Sequence, residues 1–272
     1  MQVEFTMTLV QMMCEEGNRE FNFDRARELL KDCKPGKGVR FIILPELFAI
    51  GFRKEDYDKA GPGVPGTTSE FLCELAEKEK AYVFATDIEK SDQKDGRYYN
   101  TLIAAGPSGK VIGSYRKIHP FQDERDVFDG GDTIVLMDCN GIKVGVQICY
   151  DIRFPEVSRR LALEGAELLI IPAAFPDPRS VHWNTLIQAR AIENQLYVAA
   201  TNRVGFGFDK KSYFGHSQMV DPWGLVLIRP TSETRIITIS GDTDMIQKVR
   251  NQITCYQDMS PTGYDKVNWF RG

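Results

Sequence analysis

Asn140-Gly141-Ile142-Lys143-Val144-Gly145-Val146-Gln147-Ile148-Cys149-Tyr150-Asp151-Ile152-Arg153-Phe154-Pro155-Glu156 carries the chain from a tight turn through a strand and into a helix. Asn-Gly is a strong two-residue hairpin signal, because both turn positions need φ > 0. It lies between strands expected at 133–138 and 142–149. In the second arm Ile142, Val144, Val146 and Ile148 share one face, while Lys143, Gly145, Gln147 and Cys149 share the other. A helix is expected over 155–164. Cys149 therefore ends a strand on its less apolar face, where an exposed thiol would meet free backbone N–H groups of the following turn. That arrangement suits a nucleophile and the donors that stabilise the oxyanion it creates.

Outward from this segment, strand and helix signals alternate along the whole chain, as in a layered α/β protein. Further strands are expected at 3–12, 39–44, 82–88, 100–105, 111–115, 168–172, 196–201, 216–220, 225–228 and 235–239. Helices are expected at 18–33, 68–80, 181–194 and 242–250. The first helix is read with Phe21, Ala26, Leu29 and Leu30 on one side, and the second with Phe71, Leu72, Leu75 and Ala76 on its apolar stripe. The run 39–44 is almost continuously apolar, as for a strand buried on both faces. Two more strand ends carry charge: Glu46 closes the run 39–45, and Lys117 closes 111–116. Glu, Lys and Cys at three strand ends can share one task. A free thiol is only a few per cent ionised at neutral pH, and an adjacent carboxylate can take its proton. An ammonium beside both steadies negative charge on either and then faces the developing oxyanion. Singly, each residue has a plainer reading, as surface charge, solvated lysine and core thiol.

Composition narrows the field. With 272 residues, the chain is long enough to bury a core without disulfides or a metal. Apolar residues at 42% and charged residues at 26% are ordinary for a globular protein, and a net charge of −4 argues against nucleic acid or an anionic membrane as principal partner. No apolar run approaches the ~20 residues that span a bilayer, and Met1-Gln2-Val3-Glu4-Phe5 is not a basic leader followed by an apolar segment. The cysteines at 14, 33, 73, 139, 149 and 255 form no C-x-x-C pair, which reads as a reduced, cytoplasmic protein. His119, His182 and His216 lack metal-ligand spacing, so no metal is expected. No linker or low-complexity tract divides the chain; we read residues 1–250 as one domain and 251–272 as a tail, whose aromatics Tyr264, Trp269 and Phe270 suit a subunit interface.

Two tempting motifs are set aside. Gly61-Pro62-Gly63-Val64-Pro65-Gly66 fits G-x-G-x-x-G in form, but Pro62 and Pro65 remove donors a pyrophosphate would need. It reads as a rigid turn before a helix capped near Thr67 or Thr68. His119 could suggest a Cys–His dyad, yet no local protease signature surrounds Cys149. A structural or hydrogen-bonding histidine is the preferred reading.

The wording around the three strand ends carries a resemblance. Leu44-Pro45-Glu46-Leu47-Phe48, Tyr115-Arg116-Lys117-Ile118-His119 and Cys149-Tyr150-Asp151-Ile152-Arg153-Phe154-Pro155-Glu156 resemble the three catalytic blocks of the nitrilase (carbon–nitrogen hydrolase) superfamily. Pro172-Ala173-Ala174-Phe175, the segment from His182-Trp183 to Gln188-Ala189-Arg190-Ala191-Ile192-Glu193-Asn194-Gln195, Gly215-His216-Ser217 and Asp221-Pro222-Trp223-Gly224 are similar to its later segments. The resemblance runs from the first strand to about residue 240. It implies a single-domain α/β fold, a four-layer αββα sandwich, with subunits pairing into an αββα–αββα homodimer or a higher homo-oligomer. It also implies that Glu46 is general base, Lys117 the oxyanion stabiliser and Cys149 the nucleophile. The family often has a second glutamate after the lysine block, for which Glu124 is the candidate.

The implied activity is hydrolysis of a small linear amide through a cysteine thioester, with release of ammonia and without a cofactor. The Arg153-Phe154-Pro155-Glu156 wording and the compact length resemble the branch of ω-amidases and deaminated-glutathione amidases, whose substrates bear a carboxylate or oxo-acid end. An ω-amide of an oxo-dicarboxylic acid, such as 2-oxoglutaramate, is the leading expectation. An N-carbamoyl amide hydrolase, another aliphatic amidase and an inactive scaffold subunit are the alternatives. Arg153, Arg179 and Arg203 are the cations available for a substrate carboxylate. Arg153 could equally brace the nucleophile turn by pairing with Asp151 or Glu156, and that is the preferred reading. Phe121, Tyr150 and Phe175 are candidate walls of the substrate pocket.

Overall fold

The computed structural model describes residues 2–264, apart from 35, 94, 95 and 209. Its strands are β1 (Glu4–Gln11), β2 (Val39–Ile43), β3 (Tyr82–Lys90), β4 (Tyr98–Gly106), β5 (Lys110–Arg116), β6 (Leu136–Cys139), β7 (Ile142–Val146), β8 (Leu168–Ala173), β9 (Tyr197–Asn202), β10 (Val204–Phe206), β11 (Ser212–Phe214), β12 (Gln218–Val220) and β13 (Arg235–Asp242). The helices are α1 (Arg19–Leu30), α2 (Tyr57–Ala60), α3 (Thr67–Glu79), α4 (Pro155–Leu163), α5 (Ser180–Asn194) and α6 (Asp244–Gln252). One sheet has the order β13-β1-β2-β3-β4-β5 and the other β12-β9-β8-β7-β6, with β10 and β11 as a separate hairpin.

Alternating side chains decide how the layers stack. In the first sheet Phe5, Met7, Leu9, Phe41, Ile43, Phe84 and Leu102 point inward, onto Val144, Val146, Leu168, Ile170, Tyr197 and Ala199 of the second. The intervening Ile42, Val83, Ala85, Ile103 and Ala105 point outward and meet Phe23, Ala26 and Leu30 of α1 with Phe71, Leu72 and Leu75 of α3. The second sheet covers its other face with Leu161 of α4 and Trp183, Ile187 and Ala191 of α5. The result is the four-layer αββα sandwich. The strands β1, β2 and β3 run parallel, as do β7, β8 and β9, so their carboxyl ends gather at the edges where functional loops emerge.

Several local expectations are corrected. Phe21 is 44% exposed, and Phe23 takes the core position on α1; the Asn18 side chain caps this helix at the Phe21 N–H (3.2 Å). Helix α3 is preceded by Gly66 and has no side-chain cap. The Thr68 hydroxyl bonds instead to Asp87, a fully buried carboxylate that Arg19 also reaches at 3.2 Å. The strand placed at 225–228 reduces to one bridge, Val220 to Val226. The strand at 216–220 starts only at Gln218, because His216 takes φ 58° and turns the chain. The hairpin β10–β11 has strands of three residues, too short for alternation to reveal. Of the tail aromatics, Trp269 and Phe270 lie outside the described residues. Among the described residues no helix is long and apolar enough to cross a membrane.

Candidate active site

After β2, Leu44-Pro45 leads into a turn in which Leu47 has φ 46° and donates its N–H to the Thr86 hydroxyl of β3 (2.7 Å). This turn drives the Glu46 side chain into the interior, fully buried. Its Oε1 accepts from Lys117 Nζ (2.7 Å) and Asn100 Nδ2 (2.8 Å), and its Oε2 accepts from the Ala174 N–H (2.9 Å) just past β8. Three donors from three segments hold the carboxylate in one orientation.

Lys117 follows β5 and stays in register with β4, donating its N–H to the Asn100 carbonyl (2.9 Å). Its side chain is 1% exposed, so it is not the solvated lysine of the plainer reading. Nζ donates to Glu46 and, at 2.8 Å, to Glu124 Oε2. Burial alone would lower the pKa of this lysine. The carboxylates of Glu124 and Glu46 outweigh that and hold the ammonium well above the ordinary lysine value. Glu124 is the third residue of a 3₁₀ turn, Gln122–Asp126, and its Oε2 also reaches back to the Phe121 N–H (3.0 Å). Burial, reinforced by Glu46, raises its pKa despite Lys117.

Cys149 opens a matching 3₁₀ turn, Cys149–Arg153. The first residue of each turn has a left-handed backbone, φ 42° at Gln122 and 45° at Cys149. Such a conformation is disfavoured for a residue with a Cβ and is retained only where surrounding contacts enforce it. Asp151 supplies them. One oxygen accepts from the Ile148 N–H (3.0 Å) and the Tyr115 hydroxyl (2.7 Å), the other from the His119 N–H (3.1 Å) with His119 Nδ1 at 2.7 Å. His119 stacks on Phe154 with ring centroids 3.6 Å apart and serves this clamp, as the preferred reading has it.

The thiol is 7% exposed, so it lies at the floor of a cavity rather than at an open strand tip. Strand β7 stops at Val146, and the turn, not the strand's alternation, aims the sulfur. Glu46, Lys117 and Glu124 all lie close enough to act on the Cys149 thiol. Burial and the Glu46 carboxylate push the thiol pKa well above its ordinary value, with Lys117 opposing. The resting sulfur is therefore protonated. The Tyr150 N–H stands in the first turn, where no intrahelical acceptor is available, beside the sulfur.

The cavity above Cys149 encloses about 330 Å³, a size suited to a small metabolite. Phe121, Glu124, Tyr150, Arg153 and Phe175 line it, together with Arg179, which packs on Phe121 at 5.3 Å. The bracing role expected of Arg153 falls to Asp151. Arg153 makes no ion pair among the described residues; it lies over Tyr150 (5.9 Å) and Phe175 (5.2 Å), with His182 Nδ1 at 3.2 Å. Arg203 is the opposite case, fully buried and paired with Glu16 at 3.0 Å, so it is not available to a substrate. No group of three His, Cys, Asp or Glu placed to hold a metal occurs among the described residues.

A buried carboxylate, ammonium and thiol in contact at the ends of two stacked sheets define this site, and residues 6–251 match the carbon-nitrogen hydrolase family. The chain belongs to that family. Within it, the chain is 33% identical over 262 residues to omega-amidase NIT2 of Xenopus tropicalis, covering 92% of this chain and 93% of that protein. It is 33% identical over 259 residues to 2-oxoglutaramate amidase of Bacillus subtilis (strain 168), covering 94% and 98%. Nit3 of Saccharomyces cerevisiae, a member of branch 10 of the nitrilase superfamily, superposes with a TM-score of 0.82 at 29% identity over 92% of this chain and 94% of that one. These matches place the carbon-nitrogen hydrolase in the ω-amidase branch of the nitrilase superfamily. Reading the sequence missed Asn100, the Ala174 N–H and Asp151 as partners of the site. Asn100 alone left a signal, as a polar residue in the apolar run Tyr98–Gly106.

Proposed function

We propose that this carbon-nitrogen hydrolase is an ω-amidase that cleaves the terminal amide of a short oxo-dicarboxylic acid, 2-oxoglutaramate being the best candidate. As the sulfur of Cys149 attacks the amide carbon, Glu46 takes the thiol proton. The oxyanion settles between the Lys117 ammonium and the Tyr150 N–H. Glu46 passes its proton to the amide nitrogen, the C–N bond breaks, and ammonia leaves a thioester. A water that gives its proton to Glu46, steadied by Glu124, attacks the same carbon. The C–S bond then breaks, the acid departs, and the proton returns to sulfur.

One observation carries this reading: the Lys117 ammonium bridges the carboxylates of Glu46 and Glu124 beside the Cys149 thiol at the floor of the cavity. The substrate class is supported by the names of the two relatives and by Arg153 and Arg179, which line the cavity without a carboxylate partner among the described residues. A guanidinium of this kind matches a carboxylate in two parallel hydrogen bonds. The reading extends to a reducing, cytoplasmic setting, supported by six free cysteines. It also extends to pairing of two copies, supported by exposed Ile192 and Trp223 beside the contact of Gly224 with Ile192.

The test is ammonia release from 2-oxoglutaramate and from a linear amide of equal length without the carboxylate. The oxo-acid amide should be preferred by roughly 10²-fold in kcat/KM, the worth of a charge-assisted bidentate contact. Cys149→Ala should release none, and Arg153→Met should erase most of the preference. No ammonia from any amide, from a folded protein whose Cys149 still reacts with an alkylator, would overturn the proposal.

A further inference from the structure

Arg203 follows β9 and buries its whole side chain, yet touches neither Cys149 nor its partners. Nη1 donates to Glu16 Oε1 (3.0 Å), while Nη2 donates to the carbonyls of Cys14 (2.9 Å) and Phe206 (3.4 Å). The guanidinium plane lies 4.5 Å from the Tyr213 ring. The other oxygen of Glu16 accepts from the N–H groups of Phe52 (2.6 Å) and Arg53 (3.3 Å). Phe52 lines one wall of the cavity over Cys149, and Tyr213 lines another. A single buried ion pair thus ties together the segment that runs on from Glu46 and the hairpin β10–β11. Its backbone adds a third tie: Arg203 donates its N–H to the Ala173 carbonyl (3.1 Å), next to the Ala174 N–H that holds Glu46.

We propose that the Glu16–Arg203 pair is a positioning device that fixes the two facing walls of the cavity, and so governs how tightly the acyl end of the substrate is held. It rests on the reading of this cavity as the acyl pocket. The local sequence supports so close an approach. Gly51 has φ 77°, and a methyl group built on it would overlap Glu16 Oε2, so only glycine lets the carboxylate reach the next two N–H groups. Opposite, Arg203 has five donors and a flat face, and it uses both to reach two loops at once. Neither residue touches the sulfur, so loosening the pair should alter substrate binding while leaving thiol chemistry in place.

Glu16→Asp is the informative change, because it keeps a charge for Arg203 but withdraws the oxygen from Phe52 and Arg53. KM for 2-oxoglutaramate should rise roughly tenfold with kcat within about threefold, the pattern of lost binding that is uniform between ground and transition states. The rate of Cys149 alkylation by iodoacetamide should stay within about twofold, since the thiol's own partners are untouched. Hydrogen exchange should quicken in the peptide spanning 50–56 and not in that spanning 146–153. An unchanged KM, or kcat and alkylation falling together with KM, would overturn the inference. Should Glu16→Asp fail to fold, Gly51→Ala displaces the same carboxylate by steric pressure while keeping both charges of the pair, and an unchanged KM there would overturn it equally. Wild-type protein inactive on 2-oxoglutaramate counts against the substrate reading alone. The KM ratio is then taken on whichever amide is hydrolysed, and without one the exchange pattern decides, unaltered exchange at 50–56 overturning the inference.

Discussion

Replacing Lys117 by methionine keeps the length of the stem and removes the charge that binds the site together. In the wild type, Glu46 and Glu124 accept from the same ammonium, and bonds of 2.7 and 2.8 Å laid end to end put their oxygens no more than about 5.5 Å apart. At an effective dielectric near 20, two carboxylates at that distance repel by about 3 kcal/mol, or roughly two pKa units. Without the cation that opposes them, burial and Glu46 push the Glu124 carboxyl further up than they already do, and the carboxylate pair loses the charge that orients its general base. The variant also lacks one of two oxyanion donors, a loss that typically lowers the rate by roughly 10²–10³. Together these effects should reduce kcat/KM by about 10³–10⁴ at pH 7, or about 4–5.5 kcal/mol. The deficit should narrow as pH rises, because alkali returns Glu124 to its charged form once Lys117 no longer holds it there. Ammonia release between pH 6 and 9 measures both features. Near-UV circular dichroism must accompany it, since removing one member of a buried ion pair costs about 3–5 kcal/mol of stability. A folded Lys117→Met enzyme within tenfold of wild type at pH 7 would refute the assignment of Lys117.

Asp151→Asn should lower kcat about 10–10²-fold and stability by about 2–3 kcal/mol, because an amide cannot accept from Ile148, Tyr115 and His119 together; urea titration alongside ammonia release checks both. Asn100→Ala removes one donor to Glu46 and should cost about tenfold in kcat/KM, the worth of one hydrogen bond to a charged group. Burial raises the Cys14 thiol from 9.0 to about 11, with Arg203 opposing. The folded state therefore keeps a proton that the unfolded chain loses, so the contribution of Cys14 is complete below the ordinary thiol pKa and disappears as pH climbs through about 11. Up to about 3 kcal/mol of the alkaline loss should be absent in Cys14→Ala, which denaturant titrations at pH 8 and pH 10.5 will show as a flatter decline.

What the sequence discloses follows from periodicity. The two sheets, α3 and α5 were legible because their apolar residues recur at intervals fixed by the backbone. Glu46, Lys117 and Cys149 stood out because a charge or thiol closing an apolar strand is at odds with its surroundings. Asp151 left no such mark, since an acid in a turn is ordinary; only its four partners, drawn from β5, the segment after it and the turn itself, make it unusual. Arg153 and Arg203 show the same limit in opposite directions. Arg153, open to either bracing or a substrate and read first as bracing, lies in the cavity, while Arg203, one of the cations available to a substrate carboxylate, is sealed inside. Local sequence could not rank them, because which arginine is buried depends on Glu16, almost two hundred positions away from Arg203.

Distance across the sheet explains why the site needs these residues and no shorter set. Strands β2 and β5 are separated by β3 and β4, and three intervals of about 4.8 Å place their ends about 14 Å apart. Glu46 and Lys117 must therefore lean toward each other over β4, and they meet where Asn100 of that strand adds a donor to the same carboxylate oxygen. A flexible four-carbon stem ending in a compact ammonium spans such a gap and still presents three donors in different directions. The wider guanidinium would have to displace Glu124 or Asn100. The second sheet completes the arrangement from the other side, with Ala174 after β8 holding the remaining oxygen of Glu46 and Cys149 after β7 brought beside the same carboxylate. Since the carboxylate is oriented by both sheets, the base is assembled only when the two layers dock. Any change that parts the layers should disarm the thiol before the protein unfolds.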